Sequence, residues 1–208
     1  MIYVTGDLCG DTKRIKSAIK HLKKQDTLIV CGEFGLFGTA KKREQRFIKK
    51  TGRKAHNILF VGDEKSELCN GNNPTTWNGG KTHIISGNIR QLLQGEVFAI
   101  EGKRFFIFGG ADKPNQNQVQ PRKMQKFRET VKKLESIDSK VDFIITYDAP
   151  SLLLGKVAAK AQAGYTNMFL SSVADHCNFA MWFFGKYHID KRISINYRAI
   201  FKDIIKLH

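Results

Sequence analysis

Acidic residues are scarce in this 208-residue chain: 19 Asp and Glu stand against 35 Lys and Arg, a net charge of +16. The deficit produces a positive surface field, which favours anionic partners over cationic ones. Cysteine is also sparse. The four residues Cys9, Cys31, Cys69 and Cys177 form no CxxC pair and no short-spaced framework, which excludes a disulfide scaffold. A reducing, cytoplasmic setting is therefore expected. No apolar run approaches the ~20 residues needed to span a bilayer. The amino terminus opens directly on a strand pattern without a basic-then-apolar leader, so a soluble protein without a membrane partner is expected. Internal repeats and low-complexity tracts are lacking, as are zinc-finger, helix-turn-helix and RNP signatures, which leaves no standard module for reading base sequence.

What is present is an ordinary globular composition, with 41% hydrophobic and 26% charged residues, long enough for a single domain over 1–208 with a substantial core. The order of elements is legible. A short apolar strand, 1–7, leads into a helix in which Ile15, Ala18, Ile19 and Leu22 recur at helical spacing, with Asp11 or Thr12 as its cap. Residues 27–31 are a continuous apolar run, the pattern of a parallel strand buried on both faces. A basic helix over 39–50 and a strand over 58–61 complete a βαβαβ opening, which predicts a mainly parallel sheet.

The Asn- and Gly-rich stretch 68–81 reads as a loop. Strands are expected near 83–86, 96–100 and 104–108, the last two joined by a Glu101-Gly102-Lys103 turn. A polar loop over 112–121, a basic helix over 122–137 and a strand over 141–146 follow. Next come a long loop with some helix over 150–165, a short helix over 171–177 and a strand over 180–184. A terminal hairpin formed by 192–195 and 197–201 closes the chain.

Polar loops at the carboxyl ends of strands carry the chemistry, since ligands of open α/β sheets bind at that edge. Five stand out: Thr5-Gly6-Asp7-Leu8-Cys9-Gly10-Asp11, Gly32-Glu33-Phe34-Gly35, Gly62-Asp63-Glu64, Tyr147-Asp148-Ala149-Pro150 and Gly185-Lys186-Tyr187-His188. Supporting stretches are Trp77-Asn78-Gly79-Gly80-Lys81, Gly95-Glu96-Val97-Phe98, Phe106-Ile107-Phe108-Gly109-Gly110-Ala111, Val141-Asp142-Phe143-Ile144-Ile145-Thr146 and Tyr187-His188-Ile189-Asp190-Lys191. In their joint order these resemble the loops of calcineurin-like metallophosphoesterases of the small bacterial and phage type. The resemblance implies an α/β fold, a four-layer α/β/β/α sandwich, with loops of the types D-x-H, G-D, G-N-H, a lone His and G-H-x-H.

That family clamps a phosphate between two metal ions about 3.5–4 Å apart. By the resemblance, Asp7 and His188 match first-metal ligands. Cys9 stands where a His is usual, Glu33 replaces the bridging Asp and Asp63 the Asn ligand. Glu64 stands in place of the His that assists the leaving group, while Tyr147 and Lys186 occupy second-metal His positions. A protonated lysine offers no lone pair and repels a cation, and a tyrosine ligates poorly below its pKa of about 10. A second metal is therefore not expected, and Lys186 is expected to pair with Glu33 or Asp63. The relict cleft comprises Asp7, Cys9, Glu33, Asp63, Tyr147, Lys186 and His188. No catalytic residue is expected among the relict positions Glu64, Asp7 and His188, and no cofactor, unless one Zn or Mn ion is held by Asp7, Cys9, Glu33 and His188.

A second feature lies outside the loops. Lys41, Lys42, Arg43, Arg46, Lys49, Lys50, Arg53 and Lys54 crowd one helical segment, with Phe47 and Ile48 as apolar anchors. Such helices neutralise phosphates without reading sequence. The expectation is a metallophosphoesterase-fold pseudoenzyme that binds an anionic partner (a protein, a nucleotide or a nucleic acid) in a regulatory or phage/host role. The alternative is a phosphoesterase or nuclease working through one remodelled metal site.

Overall fold

The structure, a computed structural model, describes residues 1–35, 42–54, 56–62, 73–112 and 118–208. Over these residues it is a mixed α/β arrangement of two mixed sheets and five α-helices. The first sheet holds β1 (Ile2–Gly6), β2 (Thr27–Cys31), β3 (Asn57–Phe60), β4 (Thr75–Trp77), β5 (Gly80–Ser86) and β6 (Ile89–Leu92). The second holds β7 (Glu96–Ile100), β8 (Lys103–Phe108), β9 (Phe143–Thr146), β10 (Met181–Phe184), β11 (Lys191–Arg192) and β12 (Tyr197–Ala199). The last strand, β13 (Ile204–Lys206), returns to the first sheet and pairs antiparallel with β1. The strand orders are β13-β1-β2-β3-β6-β5-β4 and β11-β12-β10-β9-β8-β7. Each sheet has a parallel centre, β1-β2-β3-β6 and β12-β10-β9-β8, edged by antiparallel strands.

Helices α1 (Thr12–Lys20) and α2 (Lys42–Gly52) connect the first three strands. Helix α3 (Pro121–Glu135) precedes β9, and α4 (Leu154–Val157) and α5 (Tyr165–His176) lie between β9 and β10. Asp11 caps α1, its carboxylate accepting the amides of Lys13 and Arg14, which satisfies donors that have no intrahelical partner. Strand alternation sorts the core into three clusters. Val4, Ile29, Leu59, Phe105, Ile107, Ile145 and Phe183 meet between the two sheets. Phe106, Phe108, Ile144, Trp182 and Phe184 point the other way, onto Phe127 and Leu134 of α3 and Phe169, Leu170 and Val173 of α5. Leu28, Val30, Ile58 and Phe60 lie beneath Ile15, Ala18 and Ile19 of α1 and Ile48 of α2. Burial on both faces is why these strands read as unbroken apolar runs.

The structure departs from expectation at several elements. Part of the expected loop 68–81 is the β4–β5 hairpin, turning on Asn78 and Gly79 at φ 47° and 89°. Positive φ at both centres is the two-residue turn that an Asn-Gly pair favours, so the signal was present and read as loop. Strands β6 and β13 are additional, and α5 begins at Tyr165, before the expected 171. The terminal hairpin is present but short, Lys191–Arg192 against Tyr197–Ala199. No described helix is long and apolar enough to cross a membrane. Lys41, Asp63, Glu64 and Cys69 lie outside the described residues, as do 113–117 of the expected polar loop.

Candidate functional site

The carboxyl ends of β1 and β2 in one sheet and β9 and β10 in the other converge on a single edge. Close backbone approach makes this possible. A Cβ on Gly185 would sit 1.8 Å from the carbonyl oxygen of Cys31, and one on Gly109 would sit 2.3 Å from that of Gly62. Glycine is required where the two sheets touch at this end. The first loop is laced to the second, with the amides of Leu8 and Cys9 donating to the Glu33 carbonyl at 3.0 and 3.3 Å.

Asp7 is buried, with 3% of its surface exposed. One carboxylate oxygen accepts the Glu33 amide at 2.9 Å, and the other lies 3.2 Å from Nε2 of His188. That same Nε2 is 3.8 Å from Sγ of Cys9. One carboxylate oxygen, one sulfur and one imidazole nitrogen thus lie within 4.8 Å of one another, Asp7 buried and the other two exposed. His188 is held from behind: its ring stacks on Phe201 at 4.6 Å between centroids and 15° between planes. Arg14 lies 4.2 Å from the centre of the same Phe201 ring and donates to the carbonyls of Phe201 and Asp7 at 2.7 and 2.8 Å. Both Cys9 and His188 have left-handed backbone, φ 47° and 51°, a conformation non-glycine residues rarely adopt. Burial, reinforced by the Asp7 carboxylate, pushes the Cys9 thiol up to about 11.

The donor set fits one ion. Carboxylate, thiolate and imidazole are the zinc ligand types, and three protein ligands with an open fourth position is the arrangement of a reactive zinc site. Asp7 is oriented by the Glu33 amide as ligating carboxylates are. Glu33 was expected as a fourth ligand, but its side chain is exposed and it is not a member of the cluster.

A few residues along the same edge the chemistry changes. Lys186 was expected to pair with Glu33 or Asp63. The partner the structure supplies is Asp148, whose Oδ2 accepts from the ammonium at 2.6 Å. Asp148 is 1% exposed; its Oδ1 accepts from the Tyr187 hydroxyl at 2.5 Å and from the Ala149 amide at 2.9 Å. Burial, and then the Asp148 charge, raises the Tyr187 phenol well above its ordinary value. Burial, then Asp7, pushes Tyr147 up to about 12, so it is neutral at pH 7 and a poor ligand.

Asp148, Tyr187, Arg14 and Phe201 were not singled out from sequence. For Asp148 the missing information is strand register: β9 and β10 pair Thr146 with Phe184, and continuing that register two residues sets Asp148 opposite Lys186, which no local pattern in the sequence specifies. Of the basic segment, Lys42, Arg43, Arg46, Lys49, Lys50, Arg53 and Lys54 are all exposed and lie on α2 or the turn after it.

No family model matches the sequence, and no curated protein matches it. Among solved structures the chain is similar to the phosphopantetheinyl hydrolase PptH from Mycobacterium tuberculosis. That match is 12% identical, covers 96% of this chain and 89% of that one, and has a TM-score of 0.46. It is also similar to a protein of unknown function, AQ665 from Aquifex aeolicus, at 14% identity, 86% and 89% coverage and a TM-score of 0.38. Both likenesses are of fold alone.

Proposed function

We propose that the chain is a calcineurin-like metallophosphoesterase fold, an α/β/β/α sandwich, whose dinuclear centre has been reduced to a single-ion binding site that engages an anionic, phosphate-bearing ligand without hydrolysing it. The observation that carries the reading is the Lys186–Asp148 pair with its Tyr187 hydrogen bond. By the resemblance, Lys186 stands where a second-metal ligand should be, and here its ammonium is already matched to a buried carboxylate. An ion placed beside that ammonium would meet like charge in a partly buried setting. A bridging hydroxide needs two metals to hold and activate it, so the dinuclear route to phosphoester hydrolysis is closed.

What persists is Asp7, Cys9 and His188, which would hold one Zn or Mn ion. Such an ion supplies a positive pole for a ligand phosphate. A second reading, single-metal hydrolysis, is favoured by that same cluster, because Cys9 and His188 are exposed and an ion held there would supply Lewis-acid activation of water. One experiment separates the two: metal content of protein purified without chelator, run beside a phosphodiester and phosphomonoester assay. The binding reading expects at most one ion per chain and no turnover above background. Two ions per chain would refute it. One ion with turnover that disappears in Cys9→Ser would establish single-metal hydrolysis in its place.

A further inference from the structure

The helix layer over the first sheet carries a surface that the cleft does not use. Ile15, Ala18 and Ile19 of α1 share a core cluster with Ile48 of α2, and Lys16 of α1 lies 5.6 Å from the centre of the α2 Phe47 ring. The two helices are therefore neighbours, and their outer faces form one surface. On α1 that face presents Lys13, Lys16 and Lys20, all exposed. On α2 the cations recur at positions 42, 46 and 49, spacings of four and three residues that make one stripe along the helix, and Arg53 in the turn just past its end continues it. Among the described residues none of these side chains stands in an ion pair; the ion pairs lie elsewhere. Helix α3 is also basic but differs. Lys123 pairs with Asp112 and Lys133 with Glu96, and the helix carries Glu129 and Glu135 of its own, against Glu44 alone within α1 and α2. Of the α3 cations Arg122, Lys126, Arg128 and Lys132 stand outside these pairs, four against the seven of the α1/α2 face, so the α1/α2 face is the denser basic surface left for a partner.

We infer that the α1/α2 face docks the phosphate backbone of duplex nucleic acid, independently of base sequence. The inference goes beyond the cleft reading and does not depend on it. The stripe from position 42 to 53 runs about 16 Å at 1.5 Å per residue. A duplex carries one charge per about 1.7 Å of axis over both strands, so about five phosphates of the near strand fall within that reach. A single strand is the poorer fit, since its binding relies on aromatic platforms on which bases stack. Among the described residues this face offers none: Phe47 is half-buried, and none of the exposed large hydrophobic residues lies on α1 or α2.

The test is fluorescence anisotropy with a labelled 24-base-pair duplex of arbitrary sequence and the matching single strand, at several salt concentrations. Neutralising about five phosphates predicts that affinity falls about 500-fold between 50 and 200 mM salt. The triple variant Lys20→Glu, Arg46→Glu, Lys49→Glu should lose about 100-fold or more in duplex affinity at 100 mM salt. The variant Arg122→Glu, Arg128→Glu, Lys132→Glu makes the same change in net charge on α3 and should lose less than about fivefold. Should the first triple variant prove misfolded by circular dichroism, Arg46→Glu and Lys49→Glu singly, each expected to cost about eightfold, take its place. Equal losses in the two triple variants would overturn the inference, since net charge and not this face would then be responsible. So would tighter binding of the single strand, or no binding of either by ten-micromolar protein in 50 mM salt.

Discussion

The ion pair at the cleft edge makes a sharp prediction about stability. Lys186→Met keeps much of the aliphatic stem and removes the ammonium, leaving the Asp148 carboxylate, 1% exposed, with only Tyr187 and Ala149 as donors. Removing one partner of a fully buried pair typically costs about 3–5 kcal/mol, because the surviving charge is left uncompensated. The Lys186 side chain is 34% exposed, so water already screens part of the attraction, and two neutral donors remain. The expected cost is accordingly about 2–3 kcal/mol. For a chain of this length that lowers Tm by about 4–12 °C.

Asp148→Asn should cost less, about 1–2 kcal/mol, because the freed lysine can turn into water while a freed buried carboxylate cannot. The double variant should fall short of the sum of the singles, as expected of groups in contact. Urea and thermal melts of the three variants are the assay. An unchanged Tm in Lys186→Met, or a larger loss in Asp148→Asn, would refute the claim that a buried charge is what the lysine protects.

Other consequences are open to direct measurement. Cys9→Ser should weaken zinc retention at least tenfold relative to wild type in a chelator competition, since it exchanges a thiolate for a neutral hydroxyl; equal retention would remove Cys9 from the ligand set. Gly185→Ala should unfold the protein or cost more than about 4 kcal/mol, because the added Cβ meets the Cys31 carbonyl at 1.8 Å. Thr146→Val should cost about 1–3 kcal/mol in urea melts by orphaning the buried Trp182 indole N–H, which donates to Thr146 Oγ1 at 2.9 Å. Asp190 accepts the amides of Phe201, Lys202 and Asp203 at 2.8, 2.9 and 3.1 Å. Burial works to raise its pKa, but these amides outweigh it and hold the carboxyl below its ordinary value. A depressed folded pKa gives stability that is present above the unfolded value of about 3.9 and lost as pH falls through the folded one. The Tm of wild type should therefore drop more steeply below about pH 4 than that of Asp190→Asn, and parallel acid profiles would exclude the effect.

Local pattern was sufficient for much of this molecule. The apolar runs Thr27–Cys31 and Glu96–Ile100 were placed at the bounds the structure has, because burial on one or both faces writes itself into consecutive residues. The opening β1-α1-β2-α2-β3 was legible for the same reason, as were the strand-end loops that carry Asp7 and His188. That Asp7, Cys9 and His188 belong to one group was implied by the resemblance to the metallophosphoesterase loops, with Cys9 standing where that family has a His.

Tertiary structure decided the rest. β13 is three residues long, with only one of them partly buried between two exposed ones; it is a strand because β1 presents it with unpaired backbone groups, information that lies 200 residues away. The partner of Lys186 depends on the register of β9 against β10, and a shift of one residue would have offered Tyr147 or Ala149 in place of Asp148. Glu33 is adjacent to a glycine at a strand end like any ligand of such a site, yet its backbone is what the site uses: the amide holds Asp7 and the carbonyl accepts from Leu8 and Cys9. Residue type and spacing determine which groups reach the edge of the sheets. Which of them meet there depends on register and backbone direction, and those are settled only when the two sheets pack.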